Sequence, residues 1–436
     1  MGISPHHAVS PIDENHLLYG NFIGLQYVFK YAIDSKILTR TITELIAQFP
    51  ALSGRYEAKS SLVIYQTDET PLKVQQRSGD FEDILTAPSR PQYINEPKRR
   101  DVLRGRVPLS TFTLTEFEKG GAVLGFAISH VLTDAAGFHL IVKHMGEIYT
   151  ALLANKTVPV FPYHMQLGAF KFGTSRDKKN ILYELKLRGL PKPIPIKGLL
   201  GRMIKSLIIK AMDKSLSDNP PITLRFSPQD VERLKQSVLE ESGENWISTN
   251  MALCAHFTSI MAKLSYGNDM KIEMQIGQLL DLRNRYFEEA PKQQSGFIGN
   301  AILIHIDKAS FPGGLQNTSR SALAKYFKKR QAKTDATDVK DRLDLLSDCL
   351  RHGYTNPELD VKNPIISLNN QSKMTVYDVS FDGQHPVRIF PQDVGDNIMF
   401  FPAPDGGIEI YIRDIVNPQS QNKLLSLEWQ KQIFDF

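Results

Sequence analysis

The sequence predicts an α/β protein of two domains, and three observations lead there. In residues 1–189, short apolar runs bounded by turn residues alternate with stretches whose apolar residues recur at helical spacing. The same alternation resumes over 222–436. Between the two, residues 190–197 read LPKPIPIK, whose alternating prolines remove helical hydrogen bonds and hold the backbone extended, so 190–221 is the expected crossover. At 436 residues the chain is long enough for two cores of ordinary size.

Taken in order, Ser10-Pro11-Ile12-Asp13 reads as a turn-forming cluster, followed by a strand within 22–33. Ile37, Leu38, Ile42, Leu45, Ile46 and Phe49 share one face of a helix that Pro50 ends. Strands are then expected at 62–65, 72–75 and 109–117. Residues 122–129 form an almost unbroken apolar run, which suits a strand buried on both faces. A helix follows directly. Phe138, Ile141, Val142, Met145, Tyr149 and Leu152 lie on one of its faces, and Asp134 stands where an N-cap belongs. His130 therefore falls in the turn between a core strand and a helix, where side chains commonly line a cleft.

In the crossover, residues 199–214 carry an apolar stripe (Leu199, Leu200, Met203, Ile204, Leu207, Ile208, Ala211, Met212) with Arg202, Lys205, Lys210 and Lys214 off it. Such a helix either packs its stripe inward or meets anionic lipid, so a peripheral membrane contact is one expectation for it. The second domain opens with a strand at 222–226 and helices at 228–240 and 249–264. Strands are expected at 272–281 and 302–306, two charged helices near 319–334 and 338–351, and strands at 376–381, 387–390, 398–401 and 408–412. Asp405-Gly406-Gly407 makes the hairpin turn between the last two strands.

Composition narrows the function classes. The net charge of +5 is modest, and the basic residues are dispersed among acidic ones, which argues against a nucleic-acid surface. Cys254 and Cys349 stand far apart without metal-type partners, so neither a disulfide framework nor a metal site is expected, and a reducing compartment is. His139 and His144, five apart on one helix, do not make a metal pair. No charged n-region precedes an apolar run at the N-terminus, which leads to the expectation of a cytoplasmic protein; a monomer is also expected.

A His-x-x-x-Asp spacing alone is weak, since a capping aspartate after a strand-ending histidine would produce it. The order of segments is stronger. Ser10-Pro11-Ile12-Asp13, Phe49-Pro50-Ala51-Leu52-Ser53-Gly54-Arg55, Ser129-His130-x-x-x-Asp134, Asp281-Leu282-Arg283-Asn284-Arg285, Gly296-Phe297-Ile298-Gly299-Asn300 and Asp405-Gly406-Gly407-Ile408-Glu409 together resemble the landmarks of the BAHD acyl-coenzyme A-dependent acyltransferases, in family order. The family's Asp-Phe-Gly-Trp-Gly signature is replaced here by Ser380-Phe381-Asp382-Gly383-Gln384. After Asp134 the chain reads Ala135-Ala136-Gly137, with the family's glycine displaced.

The resemblance implies a chloramphenicol-acetyltransferase-like fold, each domain a mixed β-sheet flanked by helices, with the active site at the domain interface. It implies transfer of an acyl group from acyl-coenzyme A, a consumed co-substrate, to a small-molecule alcohol or amine, with no bound cofactor or metal. His130 is the expected general base and Asp134 its companion in the motif. Arg283 is expected to pair with Asp134, Asp382 and Gly383 to serve the site structurally, and Asn369 and Gln371 to donate to the oxyanion. The alternatives are a carrier-protein-dependent transferase and a degenerate fold kept as a binding module.

Overall fold

The computed structural model describes residues 6–19, 22–57, 59–65, 71–86, 93–162, 165–167, 173–196, 220–266, 274–283, 296–308, 311, 313–360, 363–392, 398–413 and 422–436. Its contacts divide the chain into two compact units. Unit 1 comprises 1–171, 287–301 and 375–393, and unit 2 comprises 172–286, 302–374 and 394–436. The contiguous division expected at 189 and 222 is therefore replaced by one in which two short segments from the second half of the chain belong to unit 1.

In unit 1 the strands are β1 (His6–Ala8), β2 (Phe22–Phe29), β3 (Arg55–Glu57), β4 (Leu62–Ile64), β5 (Leu72–Arg77), β6 (Ser110–Phe117) and β7 (Ala122–Ser129). The helices are α1 (Pro11–Tyr19), α2 (Ser35–Gln48), α3 (Glu82–Thr86), α4 (Arg99–Leu103) and α5 (Ala135–Leu153). β1, β4 and β3 form a small antiparallel sheet. The main sheet is mixed: β2, β7 and β6 run antiparallel side by side, and β5 lies parallel to β6 at one edge.

β7 is buried at every residue, as its unbroken apolar run requires. It pairs with β2 from Ser129 opposite Phe22 to Ala122 opposite Phe29, which puts His130 just past the end of the central strand. Residues 10–13 do more than turn. The Ser10 hydroxyl accepts from Asp13 N–H at 3.1 Å while the Asp13 carboxylate accepts from Ser10 N–H at 3.1 Å, a reciprocal cap that starts α1 with Pro11 in its first turn.

Unit 2 is built on β8 (Ile222–Phe226), β9 (Gln275–Asp281), β10 (Ile302–Lys308), β11 (Ile365–Asn370), β13 (Ile398–Pro402) and β14 (Ile408–Ile412), while β12 (Arg388–Pro391) joins β2 in unit 1. The sheet order is β10-β9-β11-β13-β14-β8, parallel at β9–β11 and β11–β13 and antiparallel elsewhere. Its helices are α6 (Lys178–Leu187), α7 (Pro228–Ser242), α8 (Thr249–Tyr266), α9 (Arg320–Lys333), α10 (Ala336–Arg351) and α11 (Leu427–Phe434). Phe226, Leu234, Phe257, Leu323, Leu368 and Phe400 belong to the core between this sheet and α7, α8 and α9.

Three expectations are corrected. β11 was not anticipated, because Ile-Ile-Ser-Leu-Asn-Asn offers too few apolar residues for a strand signal, yet it is central in the sheet. The strand expected over 376–381 is instead a 3₁₀ turn, Val376–Asp378, and its apolar residues Val376, Val379 and Phe381 are buried one by one without a ladder partner strand. The proline-rich segment is extended as expected but lies inside unit 2. Ile194 exchanges hydrogen bonds with Thr355 at 2.9 and 3.0 Å, and α6 before it packs Ile181 and Leu185 against Leu345, Cys349 and Tyr354. Residues 199–214 lie outside the described residues.

Candidate active site

The end of β7 hands the chain to α5 through one short turn, and that turn is held from three directions. Asp134, only 1% exposed, takes Gly137 N–H on Oδ1 at 3.0 Å as the N-cap of α5 and Ala301 N–H on Oδ2 at 2.8 Å. Its own N–H donates to Gly299 O at 3.3 Å. A carboxylate shared between a helix start and a distant backbone N–H ties residues 299–301 to the turn. Gly137, the displaced glycine of the motif, supplies the cap donor. A Cβ there would lie 2.0 Å from Thr133 Oγ1, and one at Gly299 would lie 2.9 Å from the Gln166 carbonyl, so both positions require close backbone approach.

His130 is half-buried, and its Nδ1 lies 3.0 Å from Asn300 Oδ1. The amide of Asn300 has only one sensible orientation. Its Nδ2 donates to Asp13 Oδ1 at 3.0 Å and to the His130 carbonyl at 2.8 Å, which leaves Oδ1 as the atom facing the imidazole. An amide oxygen only accepts, so Nδ1 must carry the proton and Nε2 keeps its lone pair. Asp13 is itself held. Its Oδ2 accepts from Ser10 N–H and from Ser10 Oγ–H at 2.7 Å, so a buried carboxylate orients a buried amide that orients the histidine. Neither Asp13 nor Asn300 was singled out as a site residue from sequence, although both stand in quoted landmark segments.

Asp382 and Gly383 fall elsewhere in unit 1. They occupy the two central positions of a tight turn with φ of 54° and 71°, closed by Phe381 and Gln384, whose backbones exchange two 3.0 Å hydrogen bonds. The turn is clamped to α5: Asp382 N–H donates to Thr150 Oγ1 at 2.9 Å, and Phe381 packs edge-on to Phe29 and Tyr149. Thr150 lies sixteen residues beyond Asp134 on α5, roughly 24 Å along the helix, so the turn supports the helix rather than the histidine.

Arg283, Asn369 and Gln371 belong to unit 2. Arg283 is buried and donates through its N–H and Nη1 to Asp281 Oδ1 at 3.0 and 3.1 Å. Asn369 is buried on β11, on the sheet face opposite that of Asn370, whose amide reaches Asn250 of α8 at 2.7 Å. Gln371 follows the strand, its N–H bonded to Phe400 O at 2.8 Å. Cys254 and Cys349 are buried as free thiols, and burial pushes each up to about 12, which makes neither a nucleophile.

A model of the transferase family matches residues 25–414. The chain is a BAHD acyltransferase. Acyl transfer from acyl-coenzyme A is therefore its activity, and the reading of a fold kept only for binding is not favoured. Among curated relatives, hydroxycinnamoyl-CoA:piscidic acid hydroxycinnamoyltransferase of Actaea racemosa is 22% identical over 76% of this chain and 71% of its own. Among solved structures, TRI101 of F. sporotrichioides complexed with coenzyme A and T-2 has a TM-score of 0.70 at 15% identity, covering 98% of this chain and 99% of its own. Vinorine synthase follows with a TM-score of 0.64 at 13% identity, covering 99% and 94%. A condensation domain of the calcium-dependent antibiotic synthetase shares the fold at a TM-score of 0.58 and 14% identity, covering 99% and 96%. This BAHD acyltransferase thus has the mixed α/β fold expected of it.

Proposed function

We propose that His130 is the general base of this acyltransferase and that its acceptor is a small-molecule alcohol or amine. The observation that carries the reading is the Asp13–Asn300–His130 chain of hydrogen bonds, which leaves Nε2 as the proton acceptor. Nε2 takes the proton of the acceptor hydroxyl or amine as that atom attacks the thioester carbonyl. When the tetrahedral intermediate collapses, the C–S bond breaks and the same proton passes from Nε2 to the departing coenzyme A thiolate. As the imidazolium forms, Nδ1–H donates a stronger, charge-assisted bond to Asn300 Oδ1, with Asp13 behind it. No acyl-enzyme is needed, in keeping with the buried, high-pKa thiols.

Asp134 acts in this scheme as the fastener of the turn, since both carboxylate oxygens are taken by backbone N–H groups. Asn369 and Gln371 remain the proposed oxyanion donors, supported by amide side chains that can donate and by the position of both at the end of β11. We extend the reading to a cytosolic protein, which the two unpaired thiols favour, and to a monomer. The test follows free thiol release from a panel of acyl-coenzyme A thioesters with mixed alcohol and amine acceptors. His130→Ala is expected to lose about 10² to 10⁴-fold in turnover with the fold intact. Near-normal turnover in a folded variant would sink the assignment.

A further inference from the structure

On the helical face of the unit 2 sheet lies a cavity of about 40 Å³, none of whose lining residues is assigned to acyl transfer. Asn250, Gln278, His305, Phe327, Arg330 and Thr334 contribute to its wall. Arg330 is only 7% exposed. Its Nε meets Asp307 Oδ2 at 3.0 Å and His305 Nδ1 at 3.4 Å, and its Nη2 donates to the His305 carbonyl. Its Nη1 has no hydrogen-bond partner among the described residues. A guanidinium does not deprotonate in a protein and cannot accept, so a buried Nη1 calls for an acceptor.

Two further features give that acceptor its charge. The wall includes Asn250 and Met251 of the first turn of α8, an 18-residue helix whose macrodipole is positive at that end. Asn250 Oδ1 is engaged by Asn370 Nδ2 at 2.7 Å and by the Cys254 thiol at 3.4 Å, which leaves its amide nitrogen as the end able to donate. Asp307, the carboxylate paired with Arg330 among the described residues, is already committed. It accepts from Arg330 Nε, from His305 Nε2 at 3.2 Å and from the Tyr326 hydroxyl at 3.1 Å. A water needs about 10–15 Å³ of such space, so the cavity has room for a small occupant of one or a few atoms.

We infer that this cavity binds one small monovalent anion of halide size, held by Arg330 Nη1 and the first turn of α8. The anion sits beside Asn250 and so braces the contact of α8 with the end of β11. The experiment melts the whole protein at constant ionic strength while chloride or bromide replaces gluconate. A saturable rise of about 2–4 °C is expected with either halide. Crystals soaked in bromide should show an anomalous peak beside Arg330 Nη1. Arg330→Lys keeps a cation for Asp307 but removes the Nη1 donor, and it should lose the halide-dependent rise. Should that variant fail to fold, the bromide peak in the unaltered protein decides. No peak beside Nη1 overturns the inference whatever the melting curves show, because a water then fills the cavity; a rise that persists in folded Arg330→Lys overturns it too.

Discussion

Replacing Asn300 by alanine removes the acceptor that faces His130 Nδ1 while leaving the histidine in place. In the resting enzyme the lost contact is an ordinary hydrogen bond at 3.0 Å, but during transfer the imidazole becomes a cation and the same contact becomes charge-assisted. Hydrogen bonds to charged groups contribute about 1.5–3 kcal/mol net, and each 1.36 kcal/mol is tenfold in rate, so turnover should fall about 10 to 150-fold. The KM for acyl-coenzyme A should hardly move, since Asn300 serves the histidine and not the donor.

Asn300→Ala also strips one donor from the buried Asp13 carboxylate, which keeps its two bonds from Ser10, so some loss of stability is expected. Rates are therefore measured well below the melting temperature of each variant. The decisive comparison is epistatic. If Asn300 acts only through the imidazole, then adding Asn300→Ala to His130→Ala costs no further rate, as for any pair that works as a unit. An equal fold-loss in the two backgrounds would refute the tautomer argument, as would an unchanged kcat in folded Asn300→Ala.

Three more outcomes are expected. Asp134→Ala should lower the melting temperature through loss of the α5 cap, typically about 0.5–2 kcal/mol, because both carboxylate oxygens take backbone N–H groups; an unchanged melting curve would show that the turn is held without it. Gly146→Ala should lower the melting temperature through overpacking of about 1–3 kcal/mol, because a Cβ there would lie 2.1 Å from the Ser380 carbonyl just before the 381–384 turn; an unchanged melting curve would show that the turn can shift away. His256 is held neutral, its pKa depressed to about 3 by burial and then by the Arg320 charge, while in the unfolded chain it titrates near 6.5. Protons then bind the unfolded chain first, so stability from this residue is complete above about pH 6.5 and is lost as pH falls toward 3. His256→Gln should flatten that acid arm in urea titrations, and an arm of unchanged slope would contradict the assignment.

What the sequence made legible depended on how far apart the cooperating residues lie. β7 at Ala122–Ser129 and the cap of α5 at Asp134 agree with expectation residue for residue, since an apolar run and a capping side chain act on their own neighbours. β11 was missed for the complementary reason: its place comes from parallel pairing with β9 and β13 on either side, not from its own composition. The site repeats this contrast at closer range. The Ser10–Asp13 cluster reads locally as a turn, and one oxygen of Asp13 does serve the local cap; its other oxygen meets Asn300, 287 positions along the chain. An asparagine is at home in any polar turn, and the landmark segment 296–300 that it ends does not by itself give it a role. Only the fold supplies the two acceptors that fix its amide nitrogen, and only a fixed amide can dictate which nitrogen of His130 carries the proton. The base was therefore readable from the strand–turn–helix pattern, whereas the device that selects its tautomer exists only once three segments of the chain have met.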